Sequence, residues 1–128
     1  MKEYELTPYP RKLWVEILSK ETIKSVSKNY KYIDDTEILE KEIEAVGAHS
    51  IHCIRKKDGK YGTMVLLAPD FLTAPTFAHE AFHVVDFIAE SCGLDYVKDT
   101  GNEHIAYLIQ YVVSCLEDWF NKVIMKNE

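Results

Sequence analysis

Two histidines separated by three residues, with a glutamate directly after the first, stand in the stretch PTFAHEAFHVVDF at positions 75–87. If this stretch is helical, His79 and His83 lie on one face with their Cβ atoms roughly 5 to 6 Å apart. Two imidazoles so placed can reach one zinc ion at Zn–N distances of about 2.0 to 2.1 Å. Glu80 projects about 100° away, beside such an ion rather than onto it. That offset suits a general base, which must take a proton from water without displacing it.

The competing interpretation of this stretch is an amphipathic helix whose polar stripe simply meets solvent. His79, His83, Asp86 and Glu90 fall within a sector of about 60°, and apolar residues cover most of the remaining circumference. Solvated faces usually carry lysine, glutamate and arginine rather than paired histidines, so the pattern favours a metal site. Asp86 and Glu90 are each expected either to hydrogen-bond to a metal-ligating histidine or to be merely exposed, with the hydrogen-bonding role favoured for Asp86.

Glu103 is the candidate for a third ligand, because catalytic zinc usually takes three protein ligands and leaves one position for water. It begins the last predicted helix, in a narrow polar stripe that continues through Tyr107, Gln110 and Ser114. Two mostly buried helices that each keep one polar stripe have reason to face those stripes together. A second role competes for the same carboxylate, because Thr100 and Glu103 also fit a capping box.

These motifs resemble the gluzincin metallopeptidases, the thermolysin-like class with HExxH on one helix and a glutamate on a later one. The match consists of His79, Glu80 and His83, followed by Asn102 and Glu103, where thermolysin-like enzymes also carry an Asn-Glu pair. The resemblance covers about residues 61–120 and implies zinc bound by His79, His83 and Glu103. It also implies that Glu80 is the general base and acid.

The resemblance is to the minimal, single-domain members of that class. Only 25 residues follow Glu103, so we expect no separate helical domain of the kind that supplies larger relatives with an oxyanion-stabilising histidine and tyrosine. Tyr107, Tyr61 or His104 are the candidates to stabilise the oxyanion instead. The predicted strand Gly62 to Leu67 is a candidate to hold an extended substrate by strand addition.

Two functions follow from these residues. The first is zinc-dependent hydrolysis of a peptide bond or another amide bond in a peptide or protein substrate, with Glu80 moving the proton. The second is a binding or regulatory module of the same fold, in which the metal is structural and turnover is negligible. The absence of the helper groups found in larger relatives favours the second function, whereas the position of Glu80 favours the first.

The order of the predicted strands and helices indicates an α+β domain over residues 1–128, with a zincin-like arrangement. A small twisted sheet packs on the helix that bears HExxH and on a C-terminal helix that bears the glutamate. The predicted elements are a strand in RKLWVEIL, a surface helix in ETIKSVSKNYKY, a helix in DDTEILEKEIEAVG from Asp34 to Gly47, and a hairpin around Asp58-Gly59. Two long helices follow, one from Pro75 to about Cys92 with Gly93 as its stop, the other over about residues 101–122.

Composition excludes several classes of protein. The net charge is −6 and the lysines are scattered, so we expect no nucleic-acid partner. No apolar run reaches the roughly 18 residues that a membrane span needs, and the N-terminal residues lack a signal-peptide core, which makes a cytoplasmic protein the expectation. Cys53, Cys92 and Cys115 are expected to be free thiols. His49 and His52, three apart on a predicted strand, are interpreted as structural or exposed.

Overall fold

A computed structural model describes residues 1–94 and 101–127 of the chain. The strands are β1 (Lys2–Glu5), β2 (Lys12–Ile17), β3 (Tyr30–Tyr32), β4 (Ala48–Arg55) and β5 (Tyr61–Leu67), and the helices are α1 (Lys20–Asn29), α2 (Ala74–Cys92) and α3 (Glu103–Trp119). Short 3₁₀ turns lie at Glu40–Glu42, Pro69–Phe71 and Met125–Asn127, and a π-helical turn at Phe120–Ile124 follows α3. The predicted α+β class is confirmed.

The five strands form one mixed sheet in the order β1-β2-β5-β4-β3. β5 is its central strand, parallel to β2 and antiparallel to β4. Val65 and Leu67 of β5 belong to a core that includes α2 and α3, whereas Met64 and Leu66 belong to a second core on the opposite face. Both faces of the sheet are therefore covered, which explains why the sequence MVLL is continuously apolar rather than alternating.

α2 and α3 pack on one face of the sheet and run antiparallel to each other. The ring of Phe77, near the start of α2, lies 6.1 Å from that of Phe120, just after the end of α3. The predicted boundaries of α2 are confirmed, since Pro75 occupies its first turn and Gly93 ends it with φ 75°, a conformation that glycine adopts without a steric penalty. Within the described ranges, no helix combines the length and apolarity that a membrane crossing requires.

The predicted helix from Asp34 to Gly47 is wrong. The Asp34 carboxylate accepts hydrogen bonds from the amide and hydroxyl of Thr36, and Asp35 has φ 77°, so the chain turns there instead of starting a helix. Ile38 and Ile43 are buried against the sheet, with only the 3₁₀ turn between them. The helical spacing of the apolar residues was misleading here, because the hydrogen bonds that the Asp34 side chain accepts stabilise a turn instead of a helix.

The strand in RKLWVEIL, the first helix and the hairpin are confirmed as β2, α1 and β4–β5, while β1 and β3 were not predicted. The hairpin loop differs in detail, because Gly59 has φ 70° whereas Asp58 does not share the left-handed conformation expected of both turn residues. All three cysteines are free; Cys53 and Cys115 are buried and Cys92 is partly buried. Burial raises the pKa of Cys53 to about 12, which keeps it a thiol.

Candidate functional site

His79 and His83 point the same edge of their rings at each other. Their Nε2 atoms are 3.2 Å apart and the ring planes are inclined by 72°. Two nitrogens each about 2.05 Å from one tetrahedrally coordinated zinc would be roughly 3.3 Å apart. The same distance is also that of a hydrogen bond between two neutral imidazoles, one donating and one accepting. The separation of the two nitrogens therefore agrees with a shared ion, and without an ion the two rings can hydrogen-bond to each other.

Glu80 is buried directly beside this pair. Only 4% of its surface is exposed, one carboxylate oxygen accepts a hydrogen bond of 2.9 Å from the Ser50 hydroxyl, and the other lies 3.7 Å from Nε2 of His79. A carboxylate is buried at a large cost unless polar groups compensate, and here Ser50 of β4 and the neighbouring imidazole do so.

The rotation of α2 explains why these neighbouring residues have different surroundings. Phe77, Glu80 and Val84 follow the i, i+3, i+7 spacing of one helix face, and all three are buried. His79 and His83 lie on the adjacent face, and 68% of the His79 side chain is exposed. The same helix thus holds Glu80 against the sheet and offers both imidazoles to solvent.

A cleft of about 270 Å³ opens in front of the pair, between α2 and β4. Its walls include His79, Glu80 and His83 together with all five residues Ala48–His52 of β4. Because successive strand residues point to opposite faces, a cleft that touches five in a row runs along the edge of the strand. β3 pairs with β4 only at Cys53–Arg55, so within the described chain no strand pairs with that edge at residues 48–52.

Two further cavities extend this cleft along α2. One, of about 350 Å³, is lined by Phe71, Pro75 and Thr76 and shares His79 and Glu80 with the cleft. The other, of about 560 Å³, lies towards the C-terminal end of α2 and shares Tyr32 and His52 with the cleft. We call these three cavities the α2 groove. From Thr76 to Ser91 it follows about 22 Å of helix, the length of roughly six or seven extended residues.

His52 is a groove residue that the sequence interpretation missed. Its ring stacks on Phe87 at 4.4 Å, and its Nδ1 lies 3.1 Å from the Thr63 hydroxyl. Burial, with a smaller effect of nearby His83, lowers the pKa of His52 against the opposing charges of Asp86 and Glu90. A signal existed in the sequence, since Ser50 and His52 are two apart and must share one face of a strand.

The structure does not bring Glu103 to the histidine pair. Phe77 contacts Phe120, and the 17 residues of α3 place Glu103 about 25 Å along the helix from Phe120, at the far end of the helix pair. Among the residues described here, no three His, Cys, Asp or Glu side chains are grouped closely enough to share an ion. Thr100, the partner in the competing capping box, lies outside the described residues.

The other predicted supporting residues also lie elsewhere. Tyr107 is 65% exposed, the Tyr61 ring packs under Arg11, and none of Tyr107, Tyr61 and His104 lines the α2 groove. Asp86 is exposed, and no hydrogen bond connects it to either histidine in the described ranges. Glu90 lines the third cavity. The groups positioned around the pair are therefore Glu80, Ser50 and His52.

The hydrogen bond from Ser50 to Glu80 predicts a stability effect. Ser50→Ala should lower the free energy of unfolding by about 1 to 3 kcal/mol, since it leaves a buried carboxylate without its hydroxyl donor. Urea denaturation followed by circular dichroism measures the change. Ser114→Ala is the control, because the Ser114 hydroxyl is exposed and donates only to the Gln110 carbonyl of its own helix; equal losses for the two variants would contradict the assigned role of Ser50.

Comparisons of this chain with models of known protein families, with curated proteins and with solved structures found no significant match. The residues and geometry of the α2 groove are therefore the basis for any functional assignment.

Proposed function

We propose that this chain is a zinc-dependent hydrolase of peptide bonds, with a zincin-like fold of the gluzincin type. The observation that carries the proposal is the 3.2 Å separation of the His79 and His83 Nε2 atoms beside the buried carboxylate of Glu80. An ordinary solvated helix face gives no reason for a buried glutamate next to two converging imidazoles. The spacing and the inward-turned base are together what metal-assisted hydrolysis needs.

His79 and His83 would hold zinc through their Nε2 atoms, and Glu103 is the proposed third ligand. The support for Glu103 is the sequence motif alone, and ligation requires the first turn of α3 to lie closer to the histidine pair, which is towards the other end of the α2–α3 pair in this structure. Glu103 is exposed at that first turn.

Zinc, when bound, supplies a Lewis acid that acidifies water and polarises the substrate carbonyl. Glu80 provides the proton transfer, since one of its oxygens lies 3.7 Å from Nε2 of His79, next to the position where both imidazoles converge. Ser50 holds the other oxygen, which fixes the carboxylate in one orientation. Glu80 can thus accept a proton from water and return it to the leaving amine.

The α2 groove fits an extended peptide, although not on the strand that the sequence suggested. Strand addition to Gly62–Leu67 is wrong, because β5 is paired with β2 on one side and β4 on the other. The edge of β4 at Ala48–His52 is the one that faces the groove. A substrate strand hydrogen-bonded there would pass in front of His79, Glu80 and His83.

A second function, a peptide-binding or regulatory module with a structural metal, uses the same groove. The observation that favours it is that Tyr107, Tyr61 and His104, the expected oxyanion-stabilising residues, lie away from the groove. Both functions predict metal and peptide binding, and only turnover separates them.

Metal binding is tested by elemental analysis of protein purified without added metal. We expect about one zinc per chain for the wild type and loss of zinc in His79→Ala, His83→Ala and Glu103→Ala. His104→Ala, a matched removal of a histidine next to Glu103, should keep the metal. Zinc retained by His79→Ala and His83→Ala would refute the site. Zinc retained by Glu103→Ala alone would show that a group other than Glu103 is the third ligand.

Turnover is tested with Glu80→Gln in a peptide-library cleavage assay read by mass spectrometry. The amide cannot accept the proton, so we expect cleavage to fall by a factor of at least about 10², while zinc content and folding stay unchanged. Glu117→Gln, an exposed carboxylate on α3 outside the α2 groove, is the control and should leave the rate unchanged. Equal cleavage by the wild type and Glu80→Gln would remove Glu80 from the mechanism.

A further inference from the structure

The cavity at the C-terminal end of the α2 groove has a composition unlike that of the cleft at the histidine pair. Its volume of about 560 Å³ is within the range of roughly 300 to 1,000 Å³ typical of ligand pockets. Its lining includes Ile33, the stacked pair His52 and Phe87, and the acidic residues Asp34 and Glu90, together with Tyr32 and Ser91. A pocket with aromatic and acidic residues selects its ligands by charge as well as by size.

The aromatic walls are held in place by the surrounding structure. The rings of His52 and Phe87 stack with an interplanar angle of 9°, and His52 is further fixed by its contact with Thr63. Tyr32 pairs with Cys53 of β4 and packs with the core on the other face of the sheet, so the next residue, Ile33, lies opposite His52 and on the same face as its ring. A flat, preformed wall binds a long side chain at little cost in side-chain ordering.

The two carboxylates are available to a cation. Asp34 is fixed by hydrogen bonds from Thr36, and these bonds lower the pKa of Asp34, so it is ionised at neutral pH. Glu90 is exposed on α2. In the described part of the chain neither carboxylate forms an ion pair. The guanidinium of Arg11 lies 5.7 Å from the Phe87 ring centroid and donates a hydrogen bond to the hydroxyl of Ser91, a residue of the lining, so two carboxylates and one guanidinium leave the cavity with one net negative charge.

We propose that this cavity is a subsite for a basic side chain, so that the groove selects peptides containing lysine or arginine. Such a side chain has an apolar stem that suits the aromatic walls and a charged end that suits Asp34 and Glu90. The net charge of −6 favours the approach of cationic peptides. If the proposed function holds, the basic residue lies roughly three residues from the cleaved bond. The helix rises about 10 Å from His83 to Glu90, which is the length of roughly three extended residues.

The test measures binding rather than cleavage. Fluorescence anisotropy is recorded for labelled ten-residue peptides, alanine-rich and identical except for one central residue, with the Glu80→Gln variant and with wild type kept metal-free by a chelator. The central residue is arginine, lysine, citrulline or norleucine. We expect the arginine and lysine peptides to bind about threefold to tenfold more tightly than the neutral ones, as two exposed ion pairs allow.

Substitutions of Asp34 and Glu90 test whether the preference for basic peptides arises in this cavity. Glu90→Gln and Asp34→Asn should each reduce the ratio of arginine to citrulline affinity about two- to fivefold, and Glu90→Lys should reduce it further. Glu117→Gln, an exposed carboxylate on α3 outside the groove, is the control and should leave the ratio unchanged. Equal affinity for arginine and citrulline, an equal effect of Glu90→Gln and Glu117→Gln, or no binding of any peptide would overturn the proposal. Loss of zinc or of cleavage would not affect these ratios, so the two proposals fail separately.

Discussion

The burial of Glu80 is the constraint on which the arrangement of the site depends. Its carboxylate lies in the same helix face as Phe77 and Val84 and is held from β4 by the Ser50 hydroxyl. The apolar residues of this face fix the rotation of α2 about its axis, because turning the helix would expose them to water, and the Ser50 hydroxyl keeps the carboxylate hydrogen-bonded at the buried position that this rotation gives it. With the rotation fixed, His79 and His83 can only face the groove, with their Nε2 atoms converging.

The order of strands in the sheet determines which strand edge lies next to these imidazoles. Both faces of β5 are covered and both its edges are paired, so the one unpaired strand edge next to α2 within the described chain is that of β4 at Ala48–His52. An edge of this kind offers backbone donors and acceptors to an extended chain. The same strand supplies Ser50 to the base and His52 to the aromatic wall, so β4 connects the proposed chemistry with the proposed selection of basic side chains.

The sequence predicted best where local chemistry agreed with packing. Pro75 and Gly93 marked both ends of α2, and the turn dipeptide Asp58-Gly59 marked the hairpin. It failed from Asp34 to Gly47, where an aspartate side chain competes with the helix for backbone hydrogen bonds. It also missed His52, because its position beside Phe87 depends on how β4 packs on α2. Glu103 does not lie at the pair as the motif predicted, because its position depends on how α3 docks on α2, which spacing along the chain does not determine.

The most direct test of the account is a zinc titration of histidine-labelled protein, followed by nitrogen NMR of the imidazole rings. Signals are assigned by His79→Ala and His83→Ala among the five histidines. If the pair binds zinc, the Nε2 resonances of His79 and His83 should shift together and reach their end point at one zinc per chain, while those of His49 and His104 stay in place. Unchanged His79 and His83 signals at that ratio, or shifts that begin at another histidine, would contradict it.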